Sequence, residues 1–153
     1  MWFNDQAEEA VNFYISIFKN SNIKSTSRYD KAGAKASGRP ERSVMTVSFE
    51  IAGQEFTALN GGPLFNFSEA VSFVINCATQ SEVDHLWESL SEGGIIQQCG
   101  WLKDKYGLSW QIVPIVVPQM LQDKDPSRVR RVMETILQMK KLDIKKLQEA
   151  YDG

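Results

Sequence analysis

Residues Gln97 to Pro114 read QQCGWLKDKYGLSWQIVP, and this stretch decides the fold class. Two short apolar runs flank the polar break 103–105, and Gly107 supplies the backbone freedom of a tight reversal, so the pattern predicts a β-hairpin. We expect the polar break to be a solvated turn. From 108 to 113, large apolar residues alternate with smaller or more polar ones, as in a strand with one face on a core. One face of the sheet should therefore pack on helices, and the other should line a cavity.

The composition is that of one ordinary globular domain. The chain has 153 residues, of which 42% are hydrophobic, enough for a substantial core. The formal net charge is −2, and no block of Lys and Arg is present that would follow a phosphate backbone, so we expect no nucleic-acid partner. No window reaches the roughly 18 continuous apolar residues of a membrane span, and no leader precedes the first strand. These features predict a cytoplasmic protein without a membrane partner.

The first 60 residues predict a strand, a helix and three more strands. Residues 2–3 resemble the end of an apolar strand, and a helix follows in which Asp5 and Glu8 are spaced as a capping pair. A weak strand is predicted over 23–29, and a hairpin over 43–60.

Between these strands, residues 30–41 are rich in Gly, Ala, Lys and Ser. A stretch so polar and so rich in small residues has little to bury. We expect a mobile loop that can act as a flap over the cavity.

The second half repeats this order of elements. A strand is predicted over 70–77 and an amphipathic helix over 81–90, before the hairpin. The helical segments EAVNFYISI (9–17) and EVDHLWESL (82–90) align, and each follows one strand and precedes several. The order indicates a duplicated strand-helix-strand-strand-strand unit.

After Pro114 the pattern changes to that of a helical tail. A short helical turn is predicted over 118–121, Asp125 should cap a longer helix, and Asp143 a final short one. The apolar stripe of the two longer helices consists of Val129, Val132, Met133, Ile136, Leu137, Ile144, Leu147 and Tyr151. A stripe of this size should cover either the chain's own sheet or a partner subunit.

Four segments, in this order, resemble one known family. They are WFNDQAEEAVNFYISIF (2–18), FTALNGGP (56–63), QQCGWLKDKYGLSWQIVP (97–114) and RVMETILQMKKLDI (131–144). They resemble the PhnB-like branch of the glyoxalase/bleomycin-resistance (vicinal oxygen chelate) superfamily, also labelled 3-demethylubiquinone-9 3-methyltransferase-like.

The resemblance implies an α+β fold in which paired βαβββ modules form a curved mixed sheet around a cavity, here with a C-terminal helical tail. It places the first module at about 1–64, the second at about 65–114 and the tail at 115–153, within a single domain 1–153.

The resemblance also implies where a metal ion would bind, since chelating members hold a divalent ion with His and Glu side chains. The matching positions of this chain carry Asn60, Ala70 and Gln111, and a fourth would lie before Met1. Alanine has no ligating atom, and a neutral amide carries no charge to offset the dehydration of a dication. Nothing resembles the glycine-rich strand-loop-helix of most S-adenosylmethionine enzymes. We therefore expect no metal and no cofactor.

Without a metal, a cavity can still hold a polar small-molecule ligand by hydrogen bonds. Asn60 and Gln111 stand at matching places of the two modules, so both amides should point into one shared cavity, with Trp101 or Phe56 as a flat apolar wall. The predicted cavity residues are Asn60, Gln111, Trp101, Phe56, Cys99 and Ser72. The alternative is that the two amides pair with each other across the sheet and satisfy backbone groups.

The thiols and the single imidazole give little support to catalysis. Cys77 and Cys99 lie in strand-like runs at no metal or redox spacing, which predicts two reduced, buried thiols. His85 lies off the apolar stripe of its helix and should be solvated, so no histidine is placed to activate Cys99.

Two classes of function fit these observations. A metal-free small-molecule binding protein is favoured, and an enzyme of the superfamily with an unlocated metal or cofactor, methyltransferase-like or dioxygenase/glyoxalase-like, is the alternative. We also expect a homodimer, because the first strand is cut short at Met1 and the tail has more apolar surface than one exposed helix needs. A monomer with the tail folded on its own sheet is the competing interpretation.

Overall fold

The structure is a computed structural model and describes every residue from Met1 to Gly153. The chain divides into two compact units, 1–67 and 68–153. Each unit contains one mixed four-stranded sheet and the order strand, helix, three strands, with a short extra helix in the first unit and three helices at the end of the second. The predicted α+β class with mixed sheets and a helical tail is confirmed. That the two units form one domain stays a prediction.

The first unit is a sheet with one long helix packed on it. Its strands are β1 (Trp2–Phe3), β2 (Asn22–Arg28), β3 (Val44–Ile51) and β4 (Gln54–Asn60), in the order β1-β4-β3-β2. β1 pairs parallel with β4, and the other pairs are antiparallel. Helix α1 (Ala7–Ile17) packs on β3 and β4 through one apolar stripe, which consists of Ala7, Ala10, Val11, Tyr14 and Ile17.

Helix α1 begins in a way that its own sequence does not predict. The expected Asp5 and Glu8 capping pair is wrong, since the N-cap residue is Gln6 and no side chain of this segment caps the helix. Instead, the Asn60 Oδ1 atom accepts a hydrogen bond from the Ala7 backbone N–H at 2.8 Å. An acceptor 53 residues away in sequence does the work of a local cap, which satisfies one of the orphan N–H groups of the first turn.

The stretch 30–41 contains a helix where a loop was expected. Helix α2 spans Lys31–Ser37, the Asp30 side chain accepts from the Gly33 N–H at 2.7 Å, and Gly38 ends the helix in the left-handed conformation. The helix has no apolar periodicity and buries none of its residues, so only its two caps signal it in the sequence. The mobility of this segment stays a prediction.

The second unit contains the predicted hairpin, which is confirmed. Its strands are β5 (Ser72–Cys77), β6 (Ile95–Ile96), β7 (Trp101–Lys103) and β8 (Ser109–Pro114), in the order β5-β8-β7-β6. β7 and β8 form the hairpin, and β5 runs parallel to β8 on its other side. Helix α3 (Gln80–Ser91) begins with a capping box between Thr79 and Glu82 and packs on β5, β7 and β8.

The turn of this hairpin is not fully solvated. Asp104 is buried, and its carboxylate accepts hydrogen bonds from the N–H groups of Tyr106 and Leu108 and from the Trp110 indole. The expectation of a solvated turn is therefore wrong for Asp104, because three donors inside the hairpin take the place of water.

The tail is part of the second unit. Helices α4 (Val116–Leu121), α5 (Pro126–Leu137) and α6 (Ile144–Asp152) follow β8, and the expected caps Asp125 and Asp143 are confirmed. They enclose an apolar cluster made of Val117, Met120, Val132, Ile136, Leu142 and Leu147, against which Val113 and Cys99 also pack. None of the helices combines the length and apolar character needed to cross a membrane.

Candidate functional site

The sheet of the second unit has two faces of different chemistry. Leu102, Trp110 and Ile112 are buried on the face that carries α3. Because side chains alternate along a strand, the neighbouring residues point to the other face, which we call the distal face. The distal face consists of Ser72, Val74, Asn76, Trp101, Lys103, Ser109, Gln111 and Val113, of which Val113 packs against the apolar cluster of the tail.

Strand register arranges this face in rows. Val74, Gln111 and Trp101 are direct neighbours across β5, β8 and β7. In this row Val74 is exposed, whereas Gln111 and Trp101 are half-buried. An aliphatic group and an indole thus flank a single amide, which gives the row two apolar sides and a polar centre.

The next row is more polar. Ser72, Ser109 and Lys103 are direct neighbours across the same three strands. The Gln111 Nε2 atom donates to the Ser72 Oγ atom at 2.9 Å, which joins the two rows. The Ser109 side chain is fully buried, and its Oγ atom has no hydrogen-bond partner.

Lys103 is held by a carboxylate of the loop before β5. Its Nζ atom forms an ion pair with Glu69. The hydrogen bond from Lys103 holds the pKa of the Glu69 carboxyl below its usual value. The Glu69 carboxyl is therefore ionised at neutral pH.

Three of the predicted cavity residues, Ser72, Trp101 and Gln111, lie together on the distal face. The other three lie elsewhere. Cys99 packs against the apolar cluster of the tail, and its backbone N–H donates to the Met139 carbonyl at 2.8 Å.

Asn60 belongs to the first unit, where its side chain is hydrogen-bonded to backbone groups. Its side-chain amide accepts from the Ala7 N–H and donates to the Val44 carbonyl at 3.1 Å. Its backbone carbonyl accepts from the Tyr29 hydroxyl at 2.7 Å. Asn60 is only 5% exposed. That Asn60 and Gln111 share a cavity stays a prediction.

Phe56 also lies in the first unit, opposite Phe49 in the register of β3 and β4. The two rings lie 5.6 Å apart, so Phe56 extends the aromatic part of this sheet. A cavity of about 180 Å³ is lined by Lys24, Ser48, Phe49, Glu55, Phe56 and Thr57.

Sequence reasoning missed Lys103, Glu69 and Ser109. The alternation that places Trp101 on the distal face also places Lys103 there, so a strand beginning at Trp101 would have revealed it. Glu69 lies in a loop, and no local pattern predicts its partner. The burial of Ser109 depends on tertiary contacts, which the sequence does not show.

Comparison with known proteins identifies the family. Residues 1–113 match the family model described as 3-demethylubiquinone-9 3-methyltransferase. The chain belongs to this family. Helices α4 to α6 follow the matched residues, so the tail lies outside the family match.

Two solved structures resemble this family member. A putative 3-demethylubiquinone-9 3-methyltransferase, PhnB protein, from Bacillus cereus is 36% identical, with a TM-score of 0.66, and the match covers 74% of this chain and 95% of that one. A protein from Pseudomonas aeruginosa is 18% identical, with a TM-score of 0.59, and the match covers 74% and 92%. The second likeness supports the fold alone. No curated protein matches the chain.

The residues of this PhnB-like chain do not fit a chelated metal ion. No three His, Cys, Asp or Glu side chains lie close enough together to hold one. At the positions where the sequence resemblance would place metal ligands, the Ala70 side chain offers no ligating atom, the Asn60 amide is engaged with backbone, and the Gln111 amide with Ser72. Burial raises the pKa of the Cys77 thiol to about 11, so this thiol stays protonated at neutral pH and is a poor ligand.

Proposed function

We propose that this PhnB-like protein binds a small polar molecule on the distal face of its second unit without the help of a metal ion. The observation that carries the proposal is the placement of the Gln111 amide beside Trp101 and in hydrogen-bond contact with Ser72. Neutral donors and acceptors beside a flat aromatic side chain are the usual lining of a small-molecule site.

The amide of Gln111 has capacity left for a ligand. One N–H of its Nε2 donates to Ser72, so its second N–H and its Oε1 atom are available in this arrangement. A net contribution of about 1 kcal/mol per hydrogen bond corresponds to about fivefold in the dissociation constant. A planar ligand adds contact with the Trp101 indole, whose ring prefers offset or edge-to-face packing.

The metal-free form of the proposal follows from the donor set. Amides and hydroxyls bind neutral or anionic polar groups well, but they hold a dication weakly because they supply no negative charge. The distal face itself contains no carboxylate and no imidazole. A cytoplasmic location remains part of the proposal.

The test is a ligand screen of the purified full chain by thermal shift, with and without EDTA, together with metal analysis. We expect hits that persist in EDTA and weaken about fivefold or more in Gln111→Ala. Gln148→Ala, which removes an amide from the exposed side of α6, is the matched control and should bind as the wild type does. Binding that requires a stoichiometric metal ion, or that ignores Gln111→Ala, contradicts the proposal.

A further inference from the structure

The distal face carries one cation, and that cation is already paired within the chain. Lys103 lies in the row of Ser72 and Ser109, and its side chain is 22% exposed. Its partner Glu69 lies three residues before β5 and is 49% exposed. The pair is therefore reachable from solvent, and its acidic half lies on a loop rather than on the sheet.

The Ser109 hydroxyl is the second observation that points to a ligand. It is fully buried without a hydrogen-bond partner, although nearly all buried polar atoms in folded proteins have one. Ser109 is the direct cross-strand neighbour of Lys103. Any group that takes the place of the Glu69 carboxylate at Lys103 arrives in the row where this hydroxyl lacks a partner.

We propose that the ligand of the distal face is a planar ring bearing a carboxylate, and that Glu69 occupies the place of that carboxylate until the ligand displaces it. The inference rests on the proposed function and names its ligand class. The ring lies against Trp101 beside the Gln111 amide, and the ligand carboxylate replaces that of Glu69 at Lys103.

The distances between rows suit such a ligand. Trp101 and Lys103 are two residues apart on β7, which places their Cα atoms about 6.5 Å apart along the strand. The length from the centre of a six-membered ring to its carboxylate oxygens, plus one charge-assisted hydrogen bond of about 2.8 Å to the Lys103 ammonium, is close to this separation. Exposed ion pairs are weak, so a ligand with additional ring contacts can displace Glu69.

The contribution of Glu69 is testable because its side chain competes with the ligand. Glu69→Gln removes the competing charge and should lower the dissociation constant of a carboxylate ligand by about fivefold. Lys103→Gln removes the cation and should raise this dissociation constant by about tenfold. Glu50→Gln is the matched control, because Glu50 forms a similar ion pair with Lys24 in the first unit.

The experiment is an NMR titration of the ¹⁵N-labelled full chain with benzoate and, separately, with the neutral analogue benzamide. The readouts are the Gln111 side-chain amide and the Trp101 indole N–H. We expect benzoate to shift both signals, benzamide to bind at least fivefold more weakly, and the variants to change the benzoate affinity as stated.

The possible failures are distinguishable. If benzamide binds as well as benzoate, or if Glu69→Gln leaves the benzoate affinity unchanged, the carboxylate inference is overturned and the proposed binding face stands. If neither probe shifts Gln111 or Trp101, the proposed binding face fails together with the inference.

Discussion

Replacing Asp104 by alanine should destabilise the hairpin more than any exposed substitution in the chain. The Asp104 Oδ1 atom accepts from the N–H groups of Tyr106 at 2.9 Å and Leu108 at 3.0 Å, and Oδ2 accepts from the Trp110 indole at 2.8 Å. Asp104 is 3% exposed, and Leu108 and Trp110 are buried as well. The carboxylate therefore holds the turn to the strand that follows it.

The magnitude follows from the donors that lose their partner. A buried donor left unsatisfied costs about 1–3 kcal/mol, and the Leu108 and Trp110 donors belong to buried residues. The half-buried Tyr106 N–H can turn to water and contributes less. Asp104→Ala should therefore lower the free energy of unfolding by about 3–5 kcal/mol.

Asp104→Asn separates the three bonds. The amide oxygen still accepts from the two backbone donors, whereas its NH₂ group faces the Trp110 indole N–H, so that only the third bond is lost. We expect a cost of about 2 kcal/mol. Trp110→Phe should remove most of the difference between Asp and Asn at position 104, because the donor is then absent.

Urea unfolding followed by circular dichroism measures these costs, provided that the slope with denaturant stays constant. Asp5→Ala, at an exposed position, is the control and should change the stability by less than about 0.5 kcal/mol. A cost below about 1 kcal/mol for Asp104→Ala would refute the assignment of these bonds to the stability of the hairpin.

Three further expectations concern residues 30–41, the two cysteine thiols and the oligomeric state. Amide protons of 30–41 should exchange fast, because α2 buries none of its residues, and strong protection in hydrogen exchange would sink this idea. At pH 8, iodoacetamide should alkylate Cys99 well before Cys77, because burial raises the pKa of Cys77 to about 11 and the thiolate is the nucleophile. The difference between the two alkylation rates should narrow as the pH rises toward 11. Equal rates at pH 8 would contradict the raised pKa of Cys77. Light scattering should give twice the chain mass of 17.3 kDa, and a wild-type mass near 17.3 kDa excludes the dimer. Leu137→Glu should dissociate this dimer, because Leu137 is exposed on the tail. Ile136 is buried in its own unit, so a substitution there cannot report on an interface.

Local patterns in the sequence predict most of the fold. The hairpin 97–114 and helix α3 appear where the alternation and the 3.6-residue period place them, because each signal needs only neighbours within one element. The caps Asp125 and Asp143 were also predictable, since a cap acts on the next turn of the same helix.

The candidate site was only partly predictable, because its decisive contacts join distant residues. Gln111 and Trp101 were expected in one cavity and do lie side by side, since strand register follows from the hairpin. The pairing of Glu69 with Lys103 joins a loop to a strand, and the hydrogen bond that the Ala7 N–H donates to the Asn60 side chain spans 53 residues. Neither contact leaves a periodic trace in the sequence.

The three buried polar residues separate structural roles from a binding role. Asn60 and Asp104 are buried, and the Asn60 Oδ1 atom and both Asp104 carboxylate oxygens accept from donors that would otherwise be left unpaired. Their polarity is explained by the fold itself. Ser109 is also buried but has no such partner. Burial of its hydroxyl therefore lowers the stability, and no hydrogen bond within the fold offsets this cost. Lys103, the cross-strand neighbour of Ser109, is paired with a carboxylate from a loop. For this row of the sheet we therefore propose that a ligand, rather than the fold, accounts for the polar side chains.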